Sequence, residues 1–425
     1  MIRDMNDNQS KMHDGVSNSL GNQKPPLRGG LVSKFIVRRR RFIYINRREI
    51  KMYSKRPLFL FCMIIASLAC IFFFTTLMMK GLPTRLPAAI VDEDNTHVTR
   101  IVCRLLNAFQ ETDVKYVYHD FSEARRAMQE RKIYAFFYLP KGLTKDCESS
   151  RQPTISFYTN DSYFVPANLL FKDMKTTGAL AGLALTRSNL WGHGLRDENV
   201  MGQIQPIAIE THPLKNSFLD YSVYLSNMLV PGIIILLIML TATYTIGLEW
   251  KTEQQIKLYI ISGKSPALAL AAKLLPQTVI YTTILCFMDV WFFKYLGYPC
   301  NCGIWKMFGL SVLTVLSTQG FGIFLFGLMA GEMRLSMCIC SLWGILSFSL
   351  GGFTFPVTAM SPYLRFLAAW FPLRHYYLIY VNLALDNYSL QYVWGSVMTL
   401  IGFTLLPLLV LPRYHKAFKK FKYLE

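Results

Sequence analysis

Charged residues are scarce in this sequence. Only 17% of its 425 residues are Asp, Glu, Lys or Arg, whereas 52% are hydrophobic and 14% are aromatic. A chain of this length with so little charge is too apolar for an ordinary soluble protein. The composition therefore excludes most soluble classes and favours a protein whose surroundings are largely lipid.

Acidic residues are in especially short supply, with 26 Asp and Glu against 45 Lys and Arg. A positive excess is typical of proteins that bind nucleic acid or an anionic membrane surface, and the distribution of the charge decides between them. Residues 1–57 hold fourteen basic against four acidic residues, and residues 412–425 hold five against one. The segment 80–224 is nearly balanced and lacks the basic patch that nucleic acid requires. The charge indicates a membrane surface and no nucleic-acid partner.

Motifs for catalysis and metal binding are also lacking. No HExxH, GxSxG or paired-carboxylate pattern occurs in a setting that favours an enzyme. Gly263-Lys264-Ser265 resembles the end of a phosphate-binding loop, but Leu258 replaces the glycine that such a loop needs five residues earlier. The spacing of Cys300-Asn-Cys302 is too short for the usual zinc pair. We predict no enzyme, no metal site and no cofactor in this chain; whether Cys103 and Cys147 form a disulfide is left open.

Long apolar runs are present instead. Six runs have about the 20 residues that a helix needs to cross a bilayer. They are Leu58–Met79, Leu225–Leu248, Leu274–Phe293, Met307–Ala330, Ser336–Pro356 and Gln391–Leu411. Asp289, near the outer end of the third run, is the only Asp, Glu, Lys, Arg or His within them. We interpret it as a carboxylate that is paired or wetted at the headgroups, so an ion-coupled transporter, which needs charge inside the membrane, is the weaker hypothesis.

The segments before the first run predict a tail and a helix. Residues 1–33 are polar without an apolar period and predict a disordered cytoplasmic tail. Residues 34–57 place their apolar side chains within about a third of a helical wheel and most of their basic side chains outside it, and they predict an interfacial amphipathic helix. The Arg38–Arg41 cluster and the basic segment 412–425 both fit a cytoplasmic position under the positive-inside rule, because six spans return the chain to the same side. This orientation places residues 80–224 outside the cytoplasm.

The balanced segment 80–224 has the pattern of a small mixed domain. Its strands are predicted at Ala88–Val91, Val114–Tyr118, Ile133–Leu139 and Thr154–Thr159. Helices are predicted between them, one with Asp120 or Ser122 as its cap, and a longer helix over Pro166–Leu190 precedes a returning strand at Ile204–Ile209. The fold class is therefore an α-helical polytopic membrane protein, with six transmembrane helices and an inserted extracytoplasmic mixed α/β domain.

The segment 249–263, between the second and third runs, predicts a short amphipathic helix. Its polar positions are Glu249, Glu253, Gln254 and Lys257, and its apolar positions are Ile256, Tyr259 and Ile260. A Gly-Lys-Ser-Pro stretch ends it. Such a helix can dock on a partner, or it can simply connect two spans, and the spacing does not choose between these roles.

The order of these elements resembles the type-2 permeases of ATP-binding-cassette exporters, particularly those with a large periplasmic insert after the first helix. The resemblance covers residues 58–412. The stretches that carry it are Ala89-Ile-Val-Asp-Glu-Asp-Asn95 with Thr99-Arg100, Tyr134-Ala-Phe-Phe-Tyr-Leu-Pro-Lys-Gly142, Leu229-Val-Pro-Gly232, Lys273-Leu-Leu-Pro276, Gly351-Gly-Phe-Thr-Phe-Pro356 and Met360-Ser-Pro362. Each motif is weak by itself, but their order around the spans is fairly specific.

The resemblance implies site residues. The loop after the second span would form a coupling helix that sits in a cleft of a separate ATPase subunit, with contacts from Glu249, Trp250, Lys251, Glu253, Gln254, Ile256 and Lys257. Family members often carry Gly-Thr where this chain has Glu253-Gln254. Packing or pathway residues would be Pro231, Gly232, Gly351, Gly352, Phe355 and Pro356. Residues 358–387 would form short outer helices that dip into the membrane.

The implied function is that of a permease subunit in a bacterial inner membrane, with both termini cytoplasmic. It would dimerise with itself or a sister chain, and the partner ATPase would bind ATP and Mg. An efflux substrate of lipophilic or amphipathic character fits spans with almost no charge, and the outside domain would dock a periplasmic adaptor leading to an outer-membrane channel. The alternative class is a membrane-anchored sensor or assembly factor whose outside domain binds a ligand.

Overall fold

The computed structural model describes residues 31–79, 81–149, 151–152, 154–192, 220–329 and 332–420. Most of the predicted tail 1–33 and the predicted strand Ile204–Ile209 lie outside these residues. Six described helices are long and apolar enough to cross a membrane, as the sequence predicts, and we number them spans 1 to 6. Their bounds are Pro57–Leu77, Tyr221–Lys251, Pro266–Tyr295, Ile304–Leu328, Met333–Leu350 and Leu390–Lys419.

The chain divides into two units. The first, which we call the span unit, comprises the residues up to Phe72 together with those from Met228 onward, and the second, the inserted unit, comprises Phe73–Asn227. The division agrees with the predicted fold class, because a small mixed sheet lies in the segment between spans 1 and 2.

Helix α1, Leu31–Lys55, precedes span 1 in the span unit. It begins three residues before the predicted start. Ile45, Glu49 and Tyr53 are buried along it, and their four-residue spacing places them on one face of the helix. Arg56 alone separates α1 from Pro57, which opens span 1 at a position where proline costs no hydrogen bond. The buried face of α1 is thus packed on the spans.

The inserted unit is built on a four-stranded sheet of order β2-β1-β3-β4. Its strands are β1 Leu86–Asp92, β2 Thr112–Tyr118, β3 Ala135–Leu139 and β4 Ser156–Thr159. Strand β1 pairs in parallel with β2 and β3, and β4 pairs antiparallel to β3. All four strands lie within two residues of their predicted positions at either end.

Helices α2 His97–Asn107, α3 Phe121–Gln129, α4 Leu143–Glu148 and α5 Phe164–Gly192 complete the inserted unit. Alternate residues of β1 and β3 face α2 and α5 on one side of the sheet and α3 on the other. Because both faces are covered, the two central strands are buried almost continuously. Asp120 does stand at the N-cap of α3, but its carboxylate accepts a hydrogen bond from the Ser122 hydroxyl and not from the helix backbone.

Three further short helices belong to the span unit. Helix α6, Gln255–Ile261, connects spans 2 and 3, and helices α7, Pro362–Ala368, and α8, Pro372–Tyr380, connect spans 5 and 6. Helices α7 and α8 fall within the predicted outer segment 358–387, and their depth in a bilayer stays a prediction. Leu373, Tyr376 and Tyr380 of α8 join the buried core formed by spans 2 and 4.

Candidate functional site

Span 2 continues further than the sequence predicts. The apolar run ends at Leu248, yet the helix runs on through Lys251, and α6 begins only at Gln255. The turn between them contains Glu253, whose φ is 53°. The predicted coupling helix 249–263 is corrected accordingly, because Glu249 and Trp250 belong to span 2. A run defined by absence of charge stops at Glu249, whereas the helical backbone does not.

Glu249 lies in a buried cluster of four charged side chains, which we call the charge cluster: Arg48, Glu49, Glu249 and Lys273. The Lys273 Nζ atom donates to Glu49 Oε2 at 2.8 Å and to Glu249 Oε1 at 2.9 Å. Arg48 Nη2 donates to Glu249 Oε1 at 2.5 Å. Glu49, Glu249 and Lys273 are 0%, 2% and 1% exposed. The cluster joins α1, span 2 and span 3.

Two cations balance two carboxylates in the charge cluster, so their burial is tolerated. Removal of one member of a buried ion pair costs about 3–5 kcal/mol because the remaining charge has no compensation. Burial raises the pKa of the Glu49 carboxyl even though Lys273 acts to lower it. Burial would lower the pKa of Arg48, but the adjacent Glu249 carboxylate raises it above the ordinary value. The cluster therefore fixes three elements in one arrangement.

Trp250, the next residue, packs another side of the same helix end. Its ring packs at 5.5 Å from that of Phe326 in span 4, and at 6.0 and 4.9 Å from those of Tyr414 and Phe418 in span 6. It is 1% exposed. Glu249 and Trp250 are thus both enclosed by the chain's own elements, and not on the surface around α6.

The other predicted coupling residues lie on the surface. Lys251, Glu253, Gln254, Ile256 and Lys257 are exposed, and so is Ile260. Ile256 and Ile260 are 47% and 62% exposed and stand one turn apart on α6. We call these six residues the docking surface. Exposed isoleucines bordered by charged side chains are typical of a protein-interaction site.

The buried face of α6 packs on the spans. Tyr259, which the sequence groups with the apolar positions, is 5% exposed, and its ring stacks on Phe418 at 5.6 Å. Its hydroxyl lies 3.1 Å from His415 Nδ1. Gly263-Lys264-Ser265 forms the turn that follows α6, and Ser265 Oγ accepts a hydrogen bond from Leu268 N as the N-cap of span 3. These three residues, which resemble the end of a phosphate-binding loop, therefore serve to begin span 3.

Spans 2 and 5 meet through glycines. A Cβ atom built on Gly232 in span 2 would lie 2.5 Å from Phe348 Cε1 in span 5, so only glycine fits there without a shift of the ring. The reverse arrangement occurs at Gly344 of span 5, where Leu236 of span 2 approaches. Small residues that allow such close approach are common between membrane helices. Pro231 precedes Gly232 and is also buried.

The other predicted pathway residues lie at the end of span 5. Gly351 is buried there, and Gly352 has a φ of +95°, a left-handed conformation that favours glycine. Phe355 and Pro356 are exposed in the following loop. The structure thus brings Gly232 against span 5 and leaves Phe355 and Pro356 on the surface of the described chain, and the assignment of the six residues to packing or to the pathway stays a prediction.

Asp289 is enclosed between spans 3 and 4. It is 1% exposed, and its Oδ2 atom accepts a hydrogen bond from Ser311 Oγ of span 4 at 2.7 Å. Of the two predicted alternatives, paired or wetted, the structure supports pairing, because span 4 covers this side of span 3, and the depth of Asp289 in a bilayer stays a prediction. The side chain is paired with a hydroxyl.

In the inserted unit, the structure unites two stretches that carry the family resemblance. The Asp94 carboxylate, just after β1, accepts hydrogen bonds from Gly142 N at 2.8 Å, Thr144 N at 3.0 Å and Thr144 Oγ at 2.7 Å, just after β3. Burial acts to raise the pKa of Asp94, but the hydrogen bonds from Thr144 and Gly142 outweigh it and lower the pKa. Asp94 thus ties the loop after β1 to the loop after β3, at the carboxyl ends of the two central strands.

The charge cluster could not be found from apolar runs, because Glu249 and Lys273 flank the runs and Arg48 and Glu49 are about 200 residues away in sequence. One signal was available. Glu49 occupies the apolar face of α1, midway between Ile45 and Tyr53. An acidic residue at such a position needs a buried cation as its partner.

Six candidate spans and an inserted mixed sheet define a multi-pass membrane protein. Residues 57–411, more than four-fifths of the chain, match the family model of the ABC-2 family transporter protein, and the chain belongs to this family. It is accordingly a permease-type membrane subunit of an ABC transporter and not the catalytic subunit. No curated protein matches this chain.

Proposed function

We propose that this chain is the permease subunit of an ATP-driven exporter, which moves a lipophilic or amphipathic substrate out of the cytoplasm or the inner membrane. A separate ATPase subunit would bind ATP and Mg and dock on the docking surface. The observation that carries the proposal is the position of this surface, since the exposed Ile256 and Ile260 adjoin the buried charge cluster through the end of span 2.

Movement of a docked ATPase would reach the spans through the charge cluster. Glu249 is two residues from Lys251 in the docking surface, and its partner Lys273 lies within span 3. Displacement of α6 therefore pulls on spans 2 and 3 together. Because span 2 packs on span 5 through Gly232 and Gly344, a shift of span 2 changes that contact as well.

The scarcity of charge in the spans supports the proposed substrate class. Within the described spans, charged side chains lie near the helix ends or are enclosed, as Lys273 and Asp289 are. A route between such helices offers little to compensate a charged substrate. The basic side chains of α1 and of residues 412–420 support a cytoplasmic position for both segments. The inserted unit would then lie outside the cytoplasm and contact an adaptor and an outer-membrane channel, and the permease would act as a dimer.

Copurification tests the proposal. The full chain, solubilised in mild detergent, is expected to retain an ATPase subunit that hydrolyses ATP. Ile256→Asp combined with Ile260→Asp is expected to reduce the retained ATPase at least about tenfold, since burying two carboxylates in the interface costs several kcal/mol. Val117→Asp, on an equally exposed residue of the inserted unit, is the matched control and should retain it.

Two results would oppose the proposal. If the double variant retains the ATPase at the wild-type level, the ATPase does not bind at the docking surface. Copurification of a kinase, with no ATPase, would favour the membrane-anchored sensor instead.

A further inference from the structure

The loop between spans 3 and 4 carries two cysteines, Cys300 and Cys302, with Asn301 between them. Both side chains are half-buried, and both pack against the core that α8 shares with spans 2 and 4. Cα atoms two residues apart are at most about 7 Å apart in an extended chain and closer in a turn, which Asn301 and Cys302 form here. A disulfide requires Cα atoms within about 7 Å, so a bond between these thiols needs no movement of the spans.

The two thiols contact each other, and they are not equivalent. Burial raises the pKa of Cys300, but the hydrogen bonds of its sulfur with the Cys302 thiol and the backbone N–H of Gly303 act to lower that pKa. Burial also raises the pKa of Cys302, to about 11, and the adjacent Cys300 adds to the rise. Cys300 is therefore the sulfur better able to carry the negative charge of an attacking thiolate.

Asn301 ties this loop to the helical turn that follows α8. Its backbone N–H donates to Ala384 O at 3.0 Å, and its side-chain Nδ2 donates to Leu385 O at 2.9 Å. Gly303, whose φ is 86°, ends the turn and stands at the N-cap of span 4. The two sulfurs are thus held on one short turn whose backbone is fixed by its neighbours.

A second cysteine pair with the same spacing shows that spacing alone does not bring two thiols together. Cys338 and Cys340 lie in the helix of span 5, where positions two apart differ by about 200° around the axis. Cys338 is exposed and Cys340 is buried, so the two side chains point to different sides of the helix. In an unbroken helix these sulfurs cannot meet, whereas those of the loop do.

A metal site explains the loop pair less well. Structural zinc takes four ligands, and in the part of the chain that the structure describes no three His, Cys, Asp or Glu side chains are grouped so as to hold a metal ion. Two thiols in contact on a fixed turn suit a two-electron exchange instead.

We propose that Cys300 and Cys302 are a redox-active pair that exchanges with a disulfide compound. The Cys300 thiolate attacks one sulfur of the compound, and the other sulfur leaves as a thiolate. Cys302 then attacks Cys300 in the mixed disulfide, releases the second sulfur of the compound and closes the 300–302 disulfide. The two thiol protons pass to the released thiolates, so the loop loses two electrons and the compound gains them. A ring with one residue between its cysteines is strained, and strained disulfides are readily reduced again.

The exchange would act on a contact of the span unit. Asn301 lies within the ring that the disulfide closes, and the same residue holds the turn after α8. The proposed orientation places this loop outside the cytoplasm, where disulfides persist. That location rests on the proposed function, whereas the exchange itself is measured on the purified chain without any ATPase.

Mass spectrometry of the full chain in detergent tests the exchange. The chain is reduced, freed of reductant, incubated in buffers of oxidised and reduced glutathione, quenched with acid, and alkylated after unfolding. Trypsin then releases residues 295–306, between Lys294 and Lys306, which contain both thiols and no other cysteine. In the most oxidising buffer we expect the main form of this peptide to be lighter by two hydrogen atoms and to take up no alkylating reagent.

The tryptic peptide with Cys338 and Cys340 is the matched internal control and should close no disulfide in any buffer. Cys302→Ser and Cys300→Ser should each abolish the lighter peptide, and Cys302→Ser should leave glutathione attached to Cys300. The proposal is overturned if residues 295–306 keep both thiols in the most oxidising buffer, or carry glutathione without closing the ring. Equal disulfide formation in the control peptide would also overturn it, because oxidation would then not depend on the turn.

Discussion

Lys273 is the residue on which the charge cluster depends, because it bridges both buried carboxylates. Lys273→Met keeps the length of the side chain and removes its charge. It leaves Glu49 and Glu249 with Arg48 as their remaining partner, and we expect a loss of about 3–5 kcal/mol in stability. Thermal unfolding of the purified full chain measures the effect as a lowered Tm.

Lys264→Met is the control for this change, since Lys264 is exposed in the turn just before span 3, 2 residues before the span begins. It should unfold at the wild-type temperature. Restoring part of the lost stability by adding Glu249→Gln would support the pairing, as it removes an uncompensated charge. An unchanged Tm in Lys273→Met would contradict a closed ion-pair cluster.

Asp94 is the corresponding residue in the inserted unit. Because its folded pKa is lowered, its stabilising effect is present above the ordinary carboxyl pKa of about 3.9 and is lost as the pH falls through the lowered value. At neutral pH, Asp94→Ala removes three accepted hydrogen bonds. We expect the Gly142 and Thr144 amides to exchange at least about tenfold faster, as each lost bond costs about 1 kcal/mol.

Hydrogen–deuterium exchange of the full chain measures this acceleration. Asp146→Ala serves as the control, since the Asp146 carboxylate forms only a loose surface ion pair with Arg151 at 3.7 Å. Equal exchange at Gly142 in wild type and Asp94→Ala would mean that the loop does not depend on this carboxylate.

Among the elements, the close contact between spans 2 and 5 predicts that alanine lowers stability at one glycine and not at another. Gly232→Ala places a Cβ against the Phe348 ring, and overpacking of this kind costs about 1–3 kcal/mol. Gly309→Ala in span 4 adds a Cβ where no atom lies within 4 Å, and alanine gains about 0.5–1 kcal/mol over glycine in a helix.

Thermal unfolding should therefore place the Tm of Gly232→Ala below that of the wild type and the Tm of Gly309→Ala at or above it. Adding Phe348→Ala to Gly232→Ala should recover part of the loss, since it removes the ring that the new methyl meets. If both glycine variants are equally stable, spans 2 and 5 do not pack as closely as described.

Elements were more predictable from the sequence than their ends or their partners. All six spans and all four described strands could be predicted, because long apolar runs and Val-, Ile- and Tyr-rich segments are local signals. The end of span 2 could not, since Glu249 is tolerated in the helix only through Lys273 and Arg48. The same holds for Asp289, whose burial depends on span 4. Such contacts bring together residues far apart in sequence, and periodicity does not report them.

The candidate site was predicted in part. Five of the seven residues that the resemblance assigns to the ATPase contact are exposed around α6, while Glu249 and Trp250 are buried beneath them. The family resemblance indicates the segment, because that information is local. It does not distinguish the exposed residues of this segment from the buried ones, because Glu249 contacts Lys273 and Trp250 contacts Phe418 only in the folded chain.

In the whole molecule, the docking surface must face the compartment that supplies ATP if a separate ATPase drives the permease. One span, Tyr221–Lys251, separates the inserted unit from α6 along the chain. An odd number of crossings places residues before and after it on opposite sides of the membrane. The cytoplasmic side is expected for α6, together with the basic segments at both ends of the span unit.

The most direct measurement is labelling with a membrane-impermeant thiol reagent, in full chains whose native cysteines are replaced and which carry either Lys257→Cys or Lys115→Cys. Both positions are exposed. We predict that in intact cells the reagent labels residue 115 and reaches residue 257 only after the membrane is opened. Labelling of residue 257 in intact cells, or protection of both residues, would contradict the account, because no cytoplasmic ATPase could then drive the permease through α6.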